Sequence, residues 1–275
     1  MYKKSFDANG YFKVEDFIPK KKQDIINRDI ISLANQFSKK INNKLFNKKI
    51  KTVENLNEFI IKLEKYNQKY LFHFSQLISR MQSMLNLINY IVQKKLLSVA
   101  SNVLCEKKNE LLTSFPASFL INMPKNKRLL YHWHTARSGY PKREKYINFW
   151  VPILKDKKST NGSLIVAKKS HHNDSYPYKE FRDTKRYGQN ALTQMLVPKP
   201  YIDKFKTEIL KCKVGSVYGM HRNLLHSSTI NKSKSCSFVM IFKIWSISKD
   251  LTLNSNIAQD LSTFDEGFNE DVIAI

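Results

Sequence analysis

Glycine is scarce in this chain: seven of 275 residues, with eight prolines and three cysteines. Between Pro19 and Pro116 there is neither a glycine nor a proline, so the residues that most often break a helix are missing from a long stretch. Cys105, Cys212 and Cys236 are odd in number, far apart and in no metal-ligand spacing. That excludes a secreted disulfide framework and leads us to expect a reducing, cytoplasmic setting. No run approaches the ~20 apolar residues of a membrane span, and the opening, with Lys3, Lys4, Asp7 and Asn9, lacks the apolar core of a signal peptide.

Arginine is also short. The net charge is +24, yet only eight basic residues are arginine against thirty-nine lysines, which run from Lys3 to Lys249. Proteins that read nucleic acid rely on arginine for bidentate contacts and gather their charge into patches. A lysine-rich solvated surface is expected here, without a nucleic-acid partner; the sequence leaves the oligomeric state open. No Ser-His-Asp or Cys-His arrangement and no phosphate-cradling glycine loop occurs, so nucleophilic catalysis and phosphoryl transfer find no support.

What is present is enough apolar surface for a large core, 42% hydrophobic and 12% aromatic. From Phe59 through Leu63, Tyr66, Tyr70, Phe74, Leu77, Met81, Leu85, Ile88 and Val92 the apolar residues step by threes and fours, close to the ~3.6-residue repeat of a helix. Residues 20–112 are therefore expected to be helical, in three or four pieces. His73, among aromatics on this stretch, reads as a packing residue.

At Phe115-Pro116 the character changes. Short apolar segments follow, Ser118–Met123, Ile147–Leu154, Ser163–Val166, Gly215–Tyr218 and Ser237–Trp245. In the second, Phe149, Val151 and Ile153 alternate with Trp150, Pro152 and Leu154, as in a strand covered on both faces. Asn161-Gly162 is a turn signal between two such strands. The Lys155–Lys158 run reads as a solvated loop. Helices followed by many short strands predict an α+β protein, an N-terminal helical layer (20–112) on a β-sandwich or jelly roll (115–247). One domain is expected over 1–250, followed by an acidic tail over 251–275.

Six of the seven histidines lie between His132 and His226, in Tyr131-His132-Trp133-His134-Thr135-Ala136, in Ser170-His171-His172, and in the segment from Gly215 through His221 and His226 to Ser233. Together with Trp150-Val151-Pro152-Ile153, Asn161-Gly162-Ser163-Leu164, Gly215-Ser216, His226-Ser227 and Asn231-Lys232-Ser233, this order resembles the phytanoyl-CoA dioxygenase-like (PhyH) branch of iron(II)/2-oxoglutarate oxygenases. The opening, Phe6 to Phe12 with Gly10, is similar to that family's first strand. The resemblance implies a double-stranded β-helix (jelly roll), Fe(II) and 2-oxoglutarate as cofactors, and a small-molecule substrate taken up among loops such as 171–200. His134 and His226 would be metal ligands, held on one face with a carboxylate. Asn231, Ser233, Lys234 and Ser237 would lie at the cofactor.

Two residues depart from that pattern. The carboxylate falls at Ala136, and the arginine that clamps 2-oxoglutarate falls at Ser237, where Lys234 or Lys243 offers only a point charge. Three readings stay open. Ala136 admits a halide, as in related halogenases, so that chlorination replaces hydroxylation. Alternatively another ligand completes the site, with His132, His221, Asp174 or Glu144 as candidates. In the third, the pocket binds a lipid or sugar precursor without chemistry. Arg137, Arg143, Arg182, Arg186 and Arg222 read individually as surface residues, one or two of them available to an anionic substrate.

Overall fold

The computed structural model describes residues 1–41, 48–113, 118–125, 132–136, 145–173, 176–177, 179–183 and 192–247. The chain opens with a short helix, α1 (Tyr2–Asn9), and not with the strand expected from Phe6. Gly10 ends it at φ 83°, returning its N–H to the Phe6 carbonyl. Only then does β1 (Tyr11–Val14) begin.

The helical layer comprises α2 (Lys20–Lys40), α3 (Val53–Tyr66), α4 (Gln68–Arg80), α5 (Gln82–Ile91) and α6 (Leu97–Leu104), with a π-helical turn over Val92–Leu96. Among the described residues these are five helices, more than the spacing alone predicts. The apolar stripe is cut at Asn67 (φ −159°, ψ 113°), whose side chain accepts from Lys69 N and starts a new helix. It is cut again at Met81 (φ −60°, ψ 140°). Each break redirects the axis. Phe59, Leu63, Phe74 and Ile88 are therefore buried, whereas Tyr66 from the same stripe is 57% exposed. His73 packs against Phe37, as its aromatic neighbourhood suggests. Among the described residues no helix is long and apolar enough to cross a membrane.

The strands are β2 (Leu111–Thr113), β3 (Ser118–Asn122), β4 (Tyr146–Ile153), β5 (Leu164–Ala167), β6 (Lys179–Asp183), β7 (Leu192–Leu196), β8 (Thr207–Leu210), β9 (Val217–His221), β10 (His226–Ser228) and β11 (Ser237–Ser246), with a helical turn, α7 (Lys199–Ile202), before β8. The larger sheet runs β1-β9-β4-β11-β2, with β3 also on β11; a second sheet runs β10-β5-β8, and β6 pairs with β7. The fold is α+β, a double-stranded β-helix with the helical layer outside it. Ile147, Phe149, Val151 and Ile153 of β4, with Phe238, Met240, Phe242 and Ile244 of β11, pack outward on the helices. The alternate residues, Trp150 and Val239 with Tyr218 and Met220 of β9, meet Leu164, Val166 and Leu210 of the small sheet. Because successive side chains alternate, this sorting also places Asn148 on β4 and Ser237, Ile241 and Lys243 on β11 on the inner face.

Asn161-Gly162 does form a turn, but the strands it joins belong to opposite sheets. Gly162 has φ 76°, and a Cβ there would fall on the Asn122 amide. Gly162→Ala is thus expected to lose about 2 kcal/mol or more of stability in urea unfolding, from the left-handed backbone together with the clash.

Lys157 corrects the expectation of a solvated lysine loop. Its backbone N–H donates to Cys212 O (2.6 Å) and its carbonyl accepts from Cys212 N (3.0 Å). That pairing turns the side chain inward, where it is 1% exposed and donates from Nζ to Ser237 Oγ (2.6 Å) and Gly162 O (3.3 Å).

Candidate functional site

His134 and His226 are brought together by their backbones. Each N–H donates to the other's carbonyl at 3.0 Å, a single antiparallel bridge between the loop after Trp133 and β10. Residues that exchange both hydrogen bonds point their side chains to the same side, and the two imidazole centroids are 4.3 Å apart.

The ring orientations are set locally. His134 Nδ1 lies 2.6 Å from the His132 carbonyl, and His226 Nδ1 lies 2.8 Å from the Leu224 carbonyl. A carbonyl only accepts, so both Nδ1 atoms carry the proton and the lone pair of each neutral ring sits on Nε2, the tautomer a metal requires. His226 is 5% exposed. Burial, with the neighbouring His134 and the Lys243 charge, lowers its pKa to about 3, so it is neutral at pH 7. Beneath the pair, Ser170 Oγ accepts from Leu225 N, and Trp133 packs on the cluster of Ala167, Tyr176, Val197, Ile202 and Leu225.

The other sequence candidates lie as follows. His132 is exposed, and its carbonyl orients His134. His221, at the end of β9, rests against Phe6 (5.3 Å between centroids) and His171 (5.2 Å). Burial and then His171 lower its pKa to about 3. His171 in turn stacks near His172 (4.1 Å). Among the described residues no group of three or more His, Cys, Asp or Glu side chains is arranged to hold a metal. Ala136, two residues after His134 and partly buried, offers a methyl group and no donor. Asp174, Glu144, Arg137, Arg143 and Arg186 lie outside the described residues, as do the Arg182 side chain and the tail over 251–275.

Asn231 and Ser233 are engaged with the chain itself. Asn231 Nδ2 donates to Asn122 O (3.0 Å) and Ser235 O (2.8 Å), and its Oδ1 accepts from Ser233 N and Oγ. The pair ties the β10–β11 connection to β3. Lys234 is exposed. Ser237 is buried and accepts from Lys157.

One inner-face residue escapes a motif-led reading. Asn148 is 5% exposed and its Oδ1 has no hydrogen-bond partner. The signal was an amide in a strand whose every other residue is apolar or aromatic. Lys243 stands directly opposite it on β11.

Comparison with known proteins agrees with this fold. Solved structures share the fold at low sequence identity. EvdO2 from Micromonospora carbonacea var. aurantiaca, complexed with 2-oxoglutarate, has a TM-score of 0.53 and 10% identity, over 89% of each chain. EctD from S. alaskensis, with 2-oxoglutarate and 5-hydroxyectoine, has a TM-score of 0.56 and 14% identity, over 90% of this chain and 76% of that one. The carbocyclase SnoK from nogalamycin biosynthesis has a TM-score of 0.55 and 12% identity, over 89% and 83%. Comparison with curated protein sequences gives no match. The sequence pattern of the phytanoyl-CoA dioxygenase (PhyH) family matches residues 6–237, and the chain therefore belongs to that family of non-haem iron, 2-oxoglutarate-dependent oxygenases.

Proposed function

We propose that this protein is an oxygenase acting on a small molecule, with His134 and His226 as the protein ligands of iron(II) and with Ala136 leaving the third protein position to a small exogenous ligand. The observation that carries the reading is the histidine pair itself, each ring with its Nδ1 held by a backbone carbonyl. Its two rings are presented side by side by one backbone bridge, with His226 buried and His134 partly exposed, so that one cation can meet both. The donor set fits a divalent metal in two of the three positions of a facial site. When bound, iron(II) with 2-oxoglutarate and dioxygen supplies the oxidising chemistry of the family. The chain's part is to hold the imidazoles rigidly, to keep water from the inner end of the jelly roll with Trp150, Val166, Met220 and Leu224, and to leave space at Ala136. Hydroxylation and, because of that space, halogenation are both compatible with these residues.

The test is an anaerobic Fe(II) titration with and without 2-oxoglutarate, following the metal-to-ligand charge-transfer band. Wild-type protein is expected to take up one iron, and Ala136→Asp to bind it about tenfold or more tightly, since a carboxylate completes the facial set. Absence of iron uptake by both proteins would sink the oxygenase reading and favour a pocket that binds a lipid or sugar precursor without chemistry.

A further inference from the structure

Lysine is concentrated where α2 ends and α3 begins. Residues 39–51 hold six lysines and neither an acid nor an arginine, against thirty-nine lysines in 275 residues overall. A surface that only keeps a protein soluble interleaves both signs, as the Lys3–Asp7 and Lys20–Asp24 pairs do. Lys39, Lys40, Lys48, Lys49 and Lys51 lie among the described residues, and all five are exposed. The fold holds the two groups together. Asn35 of α2 accepts from Ile50 N (2.9 Å) and donates to Ile50 O (2.8 Å), which clamps the segment leading into α3 one helical turn before Lys39. Ile50 is thereby buried, with the exposed Lys49 and Lys51 on either side of it.

Among the described residues none of the five ammonium groups is in an ion pair. Glu54, the first acid after them, is turned to the start of α3. Its carboxylate accepts from its own backbone N–H and from Thr52 and faces Lys155, and these contacts hold its pKa down. Lys39 and Lys40 suit the C-terminus of α2, but Lys48, Lys49 and Lys51 precede the N-terminus of α3, where cations are disfavoured. An external anion accounts for them there; the helix does not.

The neighbouring rings indicate which anion. Phe37, one turn before Lys40, meets Tyr70 of α4 at 6.3 Å between centroids, and Tyr70 stacks on Tyr66 at 6.1 Å. An exposed tyrosine such as Tyr66 near clustered lysines suits the headgroup layer of a bilayer, where amphipathic rings and ammonium groups both settle. Lysine without arginine suits a diffuse layer of phosphates better than the bidentate contacts of nucleic acid.

We propose that the face carrying Lys39, Lys40, Lys48, Lys49 and Lys51 docks on an anionic phospholipid surface. The contact is peripheral and electrostatic, and clusters of about four to eight basic residues are what such surfaces attract. It does not depend on the iron site.

Co-sedimentation of the full chain with vesicles tests it. One set of vesicles is phosphatidylcholine alone and the other contains one-third phosphatidylserine. Wild type is compared with a variant in which the five lysines become glutamine, and with a control of equal net charge in which Lys4, Lys95, Lys108, Lys211 and Lys232, also exposed, become glutamine. Wild type is expected to bind only the phosphatidylserine vesicles and to be released as salt rises from about 0.1 M to about 0.5 M. The control stays within about threefold of wild type, and the five-lysine variant loses about tenfold or more. Circular dichroism and melting temperature of both variants match wild type, since exposed side chains alone are changed. Equal losses in the two variants would show that bulk charge is at work and would overturn the proposal, as would a wild type that ignores phosphatidylserine. Short duplex DNA, added at matched phosphate concentration, decides the remaining alternative: vesicle binding that survives it upholds the lipid contact, and displacement assigns the face to nucleic acid.

Discussion

His226→Ala is expected to lower Co(II) affinity by about 100-fold or more, while His132→Ala and His221→Phe leave it within twofold. The size follows from removing one of the two proposed protein donors, where loss of a mere supporting contact already costs about 10–100-fold. The contrast follows from position. His226 reaches the site through a backbone bridge that alanine preserves, because both hydrogen bonds to His134 are main-chain. The substitution should therefore remove the donor without moving its partner. His132 holds the His134 ring through its carbonyl, which any residue supplies. His221 packs with Phe6 and His171 on the other side of β9, and phenylalanine keeps that packing. A competition titration against a chromophoric chelator measures all three. A tenfold loss in His221→Phe would mean that a third histidine reaches the metal after all.

Much of this arrangement is legible in the sequence, and the illegible parts have identifiable causes. Five strands, β3, β4, β5, β9 and β11, can be placed within about three residues, since alternation on a surface covered from both sides leaves long apolar runs such as Tyr146–Ile153. The histidine pair is legible because its neighbours in sequence, Trp133, Ser227 and Asn231, recur as an ordered set. The breaks at Asn67 and Met81 are hidden because neither residue is a strong helix breaker. What decides them is backbone torsion and side-chain capping, not periodicity. Lys157 is hidden for the opposite reason: a run of charged residues between strands normally faces water, and only the pairing with Cys212, fifty-five positions away in sequence, turns it inward. Asn231 and Ser233 belong to the motif that carries the resemblance, and their hydrogen bonds also tie the β10–β11 connection to β3, a role that the motif alone does not reveal. Asn148 required knowing both which face of β4 is inward and that its Oδ1 meets no hydrogen-bond partner.

Lys157→Met is expected to stabilise the protein below pH 7 by on the order of 4 kcal/mol, and by progressively less toward pH 9. Burial lowers the Lys157 pKa from 10.5 to about 7, with only a small opposing influence from Cys212. Among the described residues no carboxylate pairs with it; its contacts are Ser237 Oγ, Gly162 O and the Trp150 ring at 5.7 Å. Between pH 7 and 10.5 the unfolded chain therefore binds a proton that the folded chain does not, and stability attributable to this residue rises with pH by up to about 1.4 kcal/mol per unit. As pH falls through that window the advantage is lost, and below pH 7 the folded protein holds an uncompensated buried ammonium, the kind of charge whose replacement by an apolar side chain is often stabilising. Two hydrogen bonds are lost with the ammonium, and the estimate is lowered accordingly from the full shift. Above pH 9 the Cys212 and Cys236 thiols, both raised by burial to about 12, act in the opposite direction, because the unfolded chain ionises them first. Urea unfolding of wild type and variant at pH 6, 7, 8 and 9 isolates the lysine, since every other group cancels in the difference. A difference that stays constant across these four values would show that Lys157 keeps an ordinary pKa in the folded protein, and a variant less stable at every pH would show that its ties to Ser237 and Gly162 outweigh the cost of burying its charge.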